Sequence, residues 1–215
     1  VESLMNAKRK LLMTLVANLP VTGRTCYFCI KDIYKRGAYG CERAPECSNC
    51  EYAKFHGECG TPESDWNKIS SAQNNLLDAL NHYVYMGETF NVPLDEQVKA
   101  KVVANIEEHM KRYVSIIKGY IAMMSEHRSV EDLMLTKQRL LKYMIAHLPL
   151  TVQYCYFCMI DGLQGLLAET CKKCVYAKTH GQCGSKASTY MNIINRAADL
   201  LHALDDYYKG EKYEV

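Results

Sequence analysis

The 215-residue sequence lacks any apolar stretch long enough to cross a bilayer, and it lacks a strong excess of charge of either sign. A transmembrane helix needs about 20 consecutive apolar residues, so we expect no membrane-spanning segment and no membrane partner. The net charge is only +2, which does not predict nucleic-acid binding from electrostatics alone. The apolar positions near the N-terminus recur at helical spacing and no small-residue cleavage site precedes Cys26, which argues against a signal peptide.

The motifs of several enzyme classes are also missing. There is no glycine loop for phosphate and no nucleophile elbow. Zinc deaminases place His-x-Glu ahead of Pro-Cys-x-x-Cys, whereas here His56 and Glu58 follow the cysteine pair and Gln182 replaces the glutamate in a second copy. The apolar run Cys-Tyr-Phe-Cys does not favour dithiol redox catalysis, which needs an accessible thiol of low pKa. We therefore predict a protein without enzymatic activity.

Cysteine is abundant, with eleven residues, and ten of them form two matched sets of five. Only Cys41 has no counterpart, so we interpret it as a loop thiol. With no secretion signal, the repeated C-x-x-C spacing favours metal binding in a reducing compartment, the cytoplasm, over disulfides. The two sets are Cys26, Cys29, Cys47, Cys50 and Cys59, and Cys155, Cys158, Cys171, Cys174 and Cys183.

The cysteines belong to an internal repeat of the chain. Residues 19–29 match residues 148–158 at seven of eleven positions, and residues 47–60 match residues 171–184 at nine of fourteen. The spacer between the C-x-x-C pairs has 17 residues in the first copy and 12 in the second, so we expect a surface loop there. The repetition predicts three parts: a first repeat (residues 1–90), a long central helix (residues 91–128) and a second repeat (residues 129–215).

Each repeat offers more ligands than one tetrahedral metal needs. Two C-x-x-C pairs complete a closed four-sulfur site of the kind that holds structural zinc, so we expect two zinc ions per chain. Cys59 and Cys183 can replace one member of the second pair, and His56 and His180 are further alternate ligands, although we favour the interpretation that each histidine is a surface or hydrogen-bonded residue beside a glycine turn. Buried thiols, disulfides or an iron–sulfur cluster are the alternatives. The predicted ligands are Cys26, Cys29, Cys47 and Cys50, and Cys155, Cys158, Cys171 and Cys174.

Capping residues and apolar spacing predict an all-α fold, with two duplicated helix–zinc loop–helix units around a long central helix. The central helix has an apolar face wider than a coiled-coil seam, which favours a core helix gripped by both repeats over an exposed dimer seam. The predicted long helices start near the N-terminus, at Thr61, at Asp95, at Ser129 and at Ser185, and the first four end before Pro20 and near Met86, Ser125 and His147.

The order of the cysteines resembles that in uncharacterised, zinc-finger-like cysteine-cluster proteins of prophages and archaeal viruses. The resemblance covers C-x-x-C, a spacer, C-x-x-C-x-Tyr and then Gly-x-Cys, which is about 35 residues of each repeat and none of the central helix. It implies a metal site, and a host cytoplasm as the location if the protein is viral. It implies no activity.

These observations predict a zinc-stabilised helical scaffold whose partner is a protein. Nucleic-acid binding is the alternative, because lysine, arginine and aromatic residues surround both cysteine sets and could neutralise phosphates and stack on bases. The basic residues are Lys31, Lys35, Arg36, Arg43, Lys172, Lys173, Lys178 and Lys186. The sequence leaves the oligomeric state open.

Overall fold

The computed structural model describes residues 1–35, 49–163 and 174–214, without the side chains of residues 33–35 and 161–163. Within these ranges the chain is all-helical and contains no strand, and none of its helices combines the length and apolarity that crossing a membrane requires. Single 3₁₀ turns, Gly23–Thr25 and Val152–Tyr154, precede α2 and α7. The helices are α1 (Glu2–Ala17), α2 (Tyr27–Lys35), α3 (Glu51–His56), α4 (Asp65–Asn81), α5 (Glu96–Glu126), α6 (Val130–Ala146), α7 (Tyr156–Leu163), α8 (Val175–His180) and α9 (Thr189–Asp205).

Four of the long helices pack side by side in the order α1, α4, α9, α6. The central pair, α4 and α9, comes from equivalent positions of the two repeats, and each buries apolar residues at helical spacing. Leu76 and Leu80 of α4 and Leu200 and Leu204 of α9 are fully buried. Buried residues of both repeats belong to one hydrophobic core. The first and second repeats therefore do not have separate hydrophobic cores.

The helix starts agree with the sequence only in part. Ser129 caps α6 and Asp95 caps α5 through side-chain oxygens, as predicted. The starts at Thr61 and Ser185 are wrong, because Ser64 and Ser188 cap α4 and α9 three residues later. The intervening residues form a turn that returns the chain to the glycine ending the previous short helix.

That glycine, Gly57 in the first repeat and Gly181 in the second, has a positive φ of 75° and 77°, as the sequence predicts. A Cβ atom on Gly57 would approach Ser64 Cα to 3.2 Å, and one on Gly181 would approach Ser188 Cα to 3.1 Å. Any residue with a Cβ atom would therefore be strained at this position and would crowd the serine, so the turn requires a glycine.

The central helix α5 packs mainly on the second repeat. Its principal contacts are with α6, with the turn Val152–Tyr154 and with α7. Val98, Val102 and Tyr113 are buried there, whereas Val114 and Ile121 in the C-terminal half are exposed. The prediction of a core helix gripped by both repeats is therefore not confirmed for the second half of α5, where Val114 and Ile121 are exposed.

Candidate metal centres

The first C-x-x-C pair of each repeat lies where a 3₁₀ turn passes into a helix. Cys26 ends the turn Gly23–Thr25 and Cys29 lies in the first turn of α2, so the two thiols face each other. The Cys29 thiol donates a hydrogen bond to Cys26 and lowers the pKa of Cys26 to about 6, with support from the N–H groups of Cys29 and Phe28 and from Lys137. The same bond raises the pKa of Cys29. One sulfur of each pair is therefore prepared to act as a thiolate, the form that binds metal.

The second repeat reproduces this arrangement. The Cys158 thiol lowers the pKa of Cys155 to about 6, again with backbone N–H groups directed at the sulfur and with a lysine nearby, here Lys8. Two copies of one local geometry, built from the Cys-Tyr-Phe-Cys sequence at the start of α2 and α7, indicate a duplicated chemical role.

Two more cysteines of each repeat lie near this pair. Cys50 ends the loop before α3, Cys59 follows that helix, and both are close enough for their charges to raise the pKa of Cys29. Cys26, Cys29 and Cys59 also border one cavity of about 170 Å³. We call Cys26, Cys29, Cys50 and Cys59 the first cysteine cluster.

The second cysteine cluster, Cys155, Cys158, Cys174 and Cys183, is its equivalent. Three of its members, Cys155, Cys158 and Cys183, border a smaller cavity of about 60 Å³. None of the eight described cysteines forms a disulfide. Across the described ranges, no three Cys, His, Asp or Glu side chains converge closely enough to hold a metal as they stand.

The predicted ligands are therefore only partly visible. Cys50 lies near Cys26 and Cys29, and Cys174 lies near Cys155 and Cys158. Cys47, Cys171 and Cys41 lie outside the described residues. Among the cysteines that are described, the alternates Cys59 and Cys183 also lie near these pairs.

The alternate histidine ligands are buried and engaged elsewhere. His56 Nδ1 lies 3.0 Å from Asp65 Oδ2, and its Nε2 lies 3.3 Å from the hydroxyl of Tyr213. His180 Nε2 lies 2.8 Å from Glu88 Oε2, and its Nδ1 lies 3.3 Å from the Thr189 hydroxyl. Each ring would have to break one of these contacts to bind a metal. In this structure they are buried hydrogen-bonding residues that join the short helix to the next long one.

The sequence did not predict that a buried lysine of the opposite repeat lies beside each cysteine cluster. Lys8 of α1 approaches the second cluster, donates to the hydroxyl of Tyr83 at 3.0 Å and is only 4% exposed. Lys137 of α6 approaches the first cluster, lies 5.3 Å from the ring centre of Tyr207 and donates to the carbonyl of Thr25. The two lysines occupy equivalent positions of the repeat, 129 residues apart, which is the signal that could have identified them.

Burial acts against both ammonium groups. It lowers the pKa of Lys8, and it lowers the pKa of Lys137 to about 8. Nearby cysteines act in the opposite direction and raise the lysine pKa: Cys155, Cys158 and Cys183 for Lys8, and Cys26 and Cys29 for Lys137. In both cases the cysteines belong to the other repeat.

The histidines follow the same crossed pattern. Glu88 of the first repeat pairs with His180 of the second, and Glu211 of the second lies 3.7 Å from His56 of the first. The hydroxyl of Tyr176 donates to the Tyr83 carbonyl at 2.8 Å across the same boundary. These contacts therefore join the two repeats next to both cysteine clusters.

The aromatic residues near the cysteines are mostly inside the protein. A buried ring cannot stack on a base, so the buried rings do not serve the base-stacking role of the nucleic-acid alternative, whereas Tyr27 is half-buried and the side chains of Tyr34 and Tyr39 lie outside the described residues. Lys178 and Lys186 are exposed, while Arg36, Arg43, Lys172 and Lys173 lie outside the described residues. The buried rings are Phe28, Tyr52, Tyr154, Tyr156, Phe157 and Tyr176.

Comparison with known proteins does not extend this account. No family model, no curated protein and no solved structure matches the chain. The resemblance to viral cysteine-cluster proteins therefore stays a prediction, and any assignment of function depends on the chemistry of the two cysteine clusters and on the crossed contacts around them.

Proposed function

We propose that the protein is a non-enzymatic helical scaffold in which two structural zinc ions, one in each cysteine cluster, hold the two repeats together. The observation that carries the proposal is the crossed burial of Lys8 and Lys137 beside thiols. Four thiolates around Zn²⁺ leave a net charge of −2, and a buried ammonium offsets part of it. A buried ammonium group is costly without a charged partner, and a zinc–thiolate site would be such a partner, whereas uncharged thiols would not.

The proposed ligands of each site come from its C-x-x-C pairs, and Cys59 and Cys183, which lie near the described members, compete with Cys47 and Cys171 for one position of each site. Cys26 and Cys29 come from one segment of the chain, and Cys50 and Cys59 come from another segment further along it. A metal bound by both segments would link metal binding to folding. Four sulfur ligands leave no open position for water or substrate, which is why we propose a structural and not a catalytic role.

Elemental analysis of protein purified without chelator tests the proposal. We expect two zinc ions per chain, both removed by a strong chelator with a large fall in thermal stability, because their binding free energy contributes to folding. If the protein contains iron and shows a visible charge-transfer band, the sites hold an iron–sulfur cluster and not zinc. Protein that contains neither metal, with its cysteines reduced and its stability unaffected by chelator, would refute the proposal.

The histidines provide a separate test of the ligands. His180→Ala is expected to keep both zinc ions but to lower the free energy of unfolding by about 1–3 kcal/mol, because the nearly buried carboxylate of Glu88 loses its partner. His202→Ala is the matched control, since that side chain is 82% exposed, and it should change neither quantity. Loss of one zinc ion from the His180 variant would show that this histidine is a ligand.

A further inference from the structure

A pocket of about 410 Å³ lies between α5 and the second repeat. It is lined by residues of α5, by the end of α6 and by the turn Val152–Tyr154, and none of its described lining residues is a cysteine. Pockets of about 300–1,000 Å³ are typical of small-molecule sites. This pocket is therefore large enough for a small ligand and is distinct from both cysteine clusters.

The buried rings of the pocket have their polar atoms engaged within the protein. The Tyr154 hydroxyl donates to His109 Nδ1 at 3.1 Å, and His109 Nε2 donates to the His147 carbonyl at 2.7 Å. The hydroxyl of Tyr113 donates to the Met144 carbonyl at 3.1 Å. These contacts fix the orientation of each ring, so what the rings offer a ligand is mainly aromatic surface.

Two more rings that line the pocket, Tyr143 and His147, form a stacked pair. Their centres are 4.0 Å apart and their planes differ by 24°. The imidazole of His147 donates from Nδ1 to the Tyr143 carbonyl at 3.0 Å, which holds it in place. Tyr143 is half-buried and His147 is exposed. A planar ligand in the pocket can therefore extend the stack on the His147 ring.

The stacked pair is not part of the architecture that the two repeats share. The first repeat has Thr14 and Asn18 at the equivalent positions, 129 residues earlier. Packing of α5 on the second repeat accounts for the buried rings of Tyr113 and Tyr154. It does not require an aromatic ring at an exposed position such as His147, which is why we look to a ligand for the role of this ring.

Polar groups of the pocket match the remaining parts of a nucleotide. Asn105 Nδ2 donates to the Gln153 carbonyl at 2.9 Å, so Asn105 Oδ1 and the Gln153 side-chain amide are the groups that can pair with the edge of a base such as adenine. Arg112 pairs with Glu108, but the two side chains are 72% and 67% exposed. An exposed ion pair is weak, so a phosphate can take over the guanidinium.

We propose that this pocket binds a nucleotide, with its base stacked on His147 and its phosphate at Arg112. A free nucleotide and an unpaired nucleotide of a single strand present the same base and phosphate, so this chemistry covers both sources. Recognition of one base needs no extended basic surface, which agrees with the net charge of +2. The proposal concerns a surface apart from the zinc sites and does not depend on them.

Isothermal titration calorimetry of the full-length chain as purified, with adenosine 5′-monophosphate (AMP) as the probe, tests this proposal. We expect one AMP per chain with a Kd below about 1 mM. His147→Ala should weaken AMP binding by about tenfold or more, because a stacking partner of the base is lost, whereas His147→Phe should retain most of the affinity. His82→Ala is the matched control. His82 is likewise exposed and donates to the carbonyl four residues earlier, that of Asp78, but it does not line the pocket.

Further probes separate the parts of the ligand and its source. Arg112→Gln should weaken AMP binding by about tenfold and leave adenosine binding unchanged, because only AMP carries the phosphate. Inorganic phosphate and ribose 5-phosphate should not displace AMP. A short single-stranded oligoadenylate that binds more tightly than AMP, and through His147, would identify a nucleic-acid strand as the source, whereas tighter binding of AMP would identify a free nucleotide.

Three results would each overturn the proposal. They are failure of both AMP and the oligoadenylate to bind the wild type, unchanged binding in a His147→Ala variant of normal helicity, and displacement of AMP by inorganic phosphate at equal concentration. Metal content is measured on the same samples, so failure of the nucleotide site can be told apart from failure of the zinc scaffold.

Discussion

Cys29→Ser is expected to release one of two zinc ions and to lower the free energy of unfolding by several kcal/mol. Structural zinc contributes about 10–16 kcal/mol of apparent binding free energy in small zinc domains, and most of it is lost when one thiolate is missing. Because both repeats share one core, the damage should spread beyond the first repeat. Zinc counting together with chemical denaturation measures both effects.

Controls within the chain sharpen this test. Cys158→Ser should release the other zinc ion, while Cys41→Ser should release neither, since Cys41 has no counterpart in the second repeat. Comparison of Cys59→Ser with Cys47→Ser decides the fourth ligand of the first site. Loss of zinc from the first of these variants alone would assign Cys59 as that ligand. The opposite result would restore Cys47, and loss of zinc from the Cys41 variant would contradict the whole assignment.

Lys137→Met is expected to weaken zinc binding at the first site and to lower the free energy of unfolding by about 3–5 kcal/mol, the usual effect of removing one partner of a buried charge pair. The sign of the change is informative. If the thiols were uncharged and bound no metal, replacing a buried ammonium with an apolar chain of similar length would leave stability unchanged or increase it. Zinc titration and denaturation of the same variant distinguish the two cases.

The crossed contacts make the mirror variant a strict control. Lys8→Met should weaken the second site and spare the first, although Lys8 belongs to the first repeat. Lys142→Met removes a more exposed lysine that pairs with Asp205, and it should leave both sites intact. If Lys8→Met weakened the first site instead, or if both lysine variants were as stable as the wild type with zinc bound, the counter-charge role would be wrong.

Much of the local structure follows from the sequence. Ser129 and Asp95 cap their helices because a short side-chain oxygen reaches the free N–H groups of the first turn, which is a property of adjacent residues. Gly57 and Gly181 end their short helices because only glycine adopts a positive φ without strain. The starts of α4 and α9 could not be read in this way, because Thr61 and Ser185 are adequate caps in isolation. The later start depends on the close approach of each glycine to a serine seven residues away.

The repeated C-x-x-C spacing and the matched flanks by themselves determined that this protein has two equivalent helical cysteine units, because ligand spacing and helical periodicity are local properties of a chain. Tertiary structure alone decided that each unit is completed by the other. In the sequence, Lys8 and Lys137 resemble ordinary charged residues of amphipathic helices. Both are buried in the structure because α4 and α9 pack together and bring each lysine to the opposite cysteine cluster. The uneven burial of α5 has a similar origin. Its apolar face is nearly continuous in sequence, but its principal contacts are with the second repeat, and Val114 and Ile121 in its C-terminal half stay exposed.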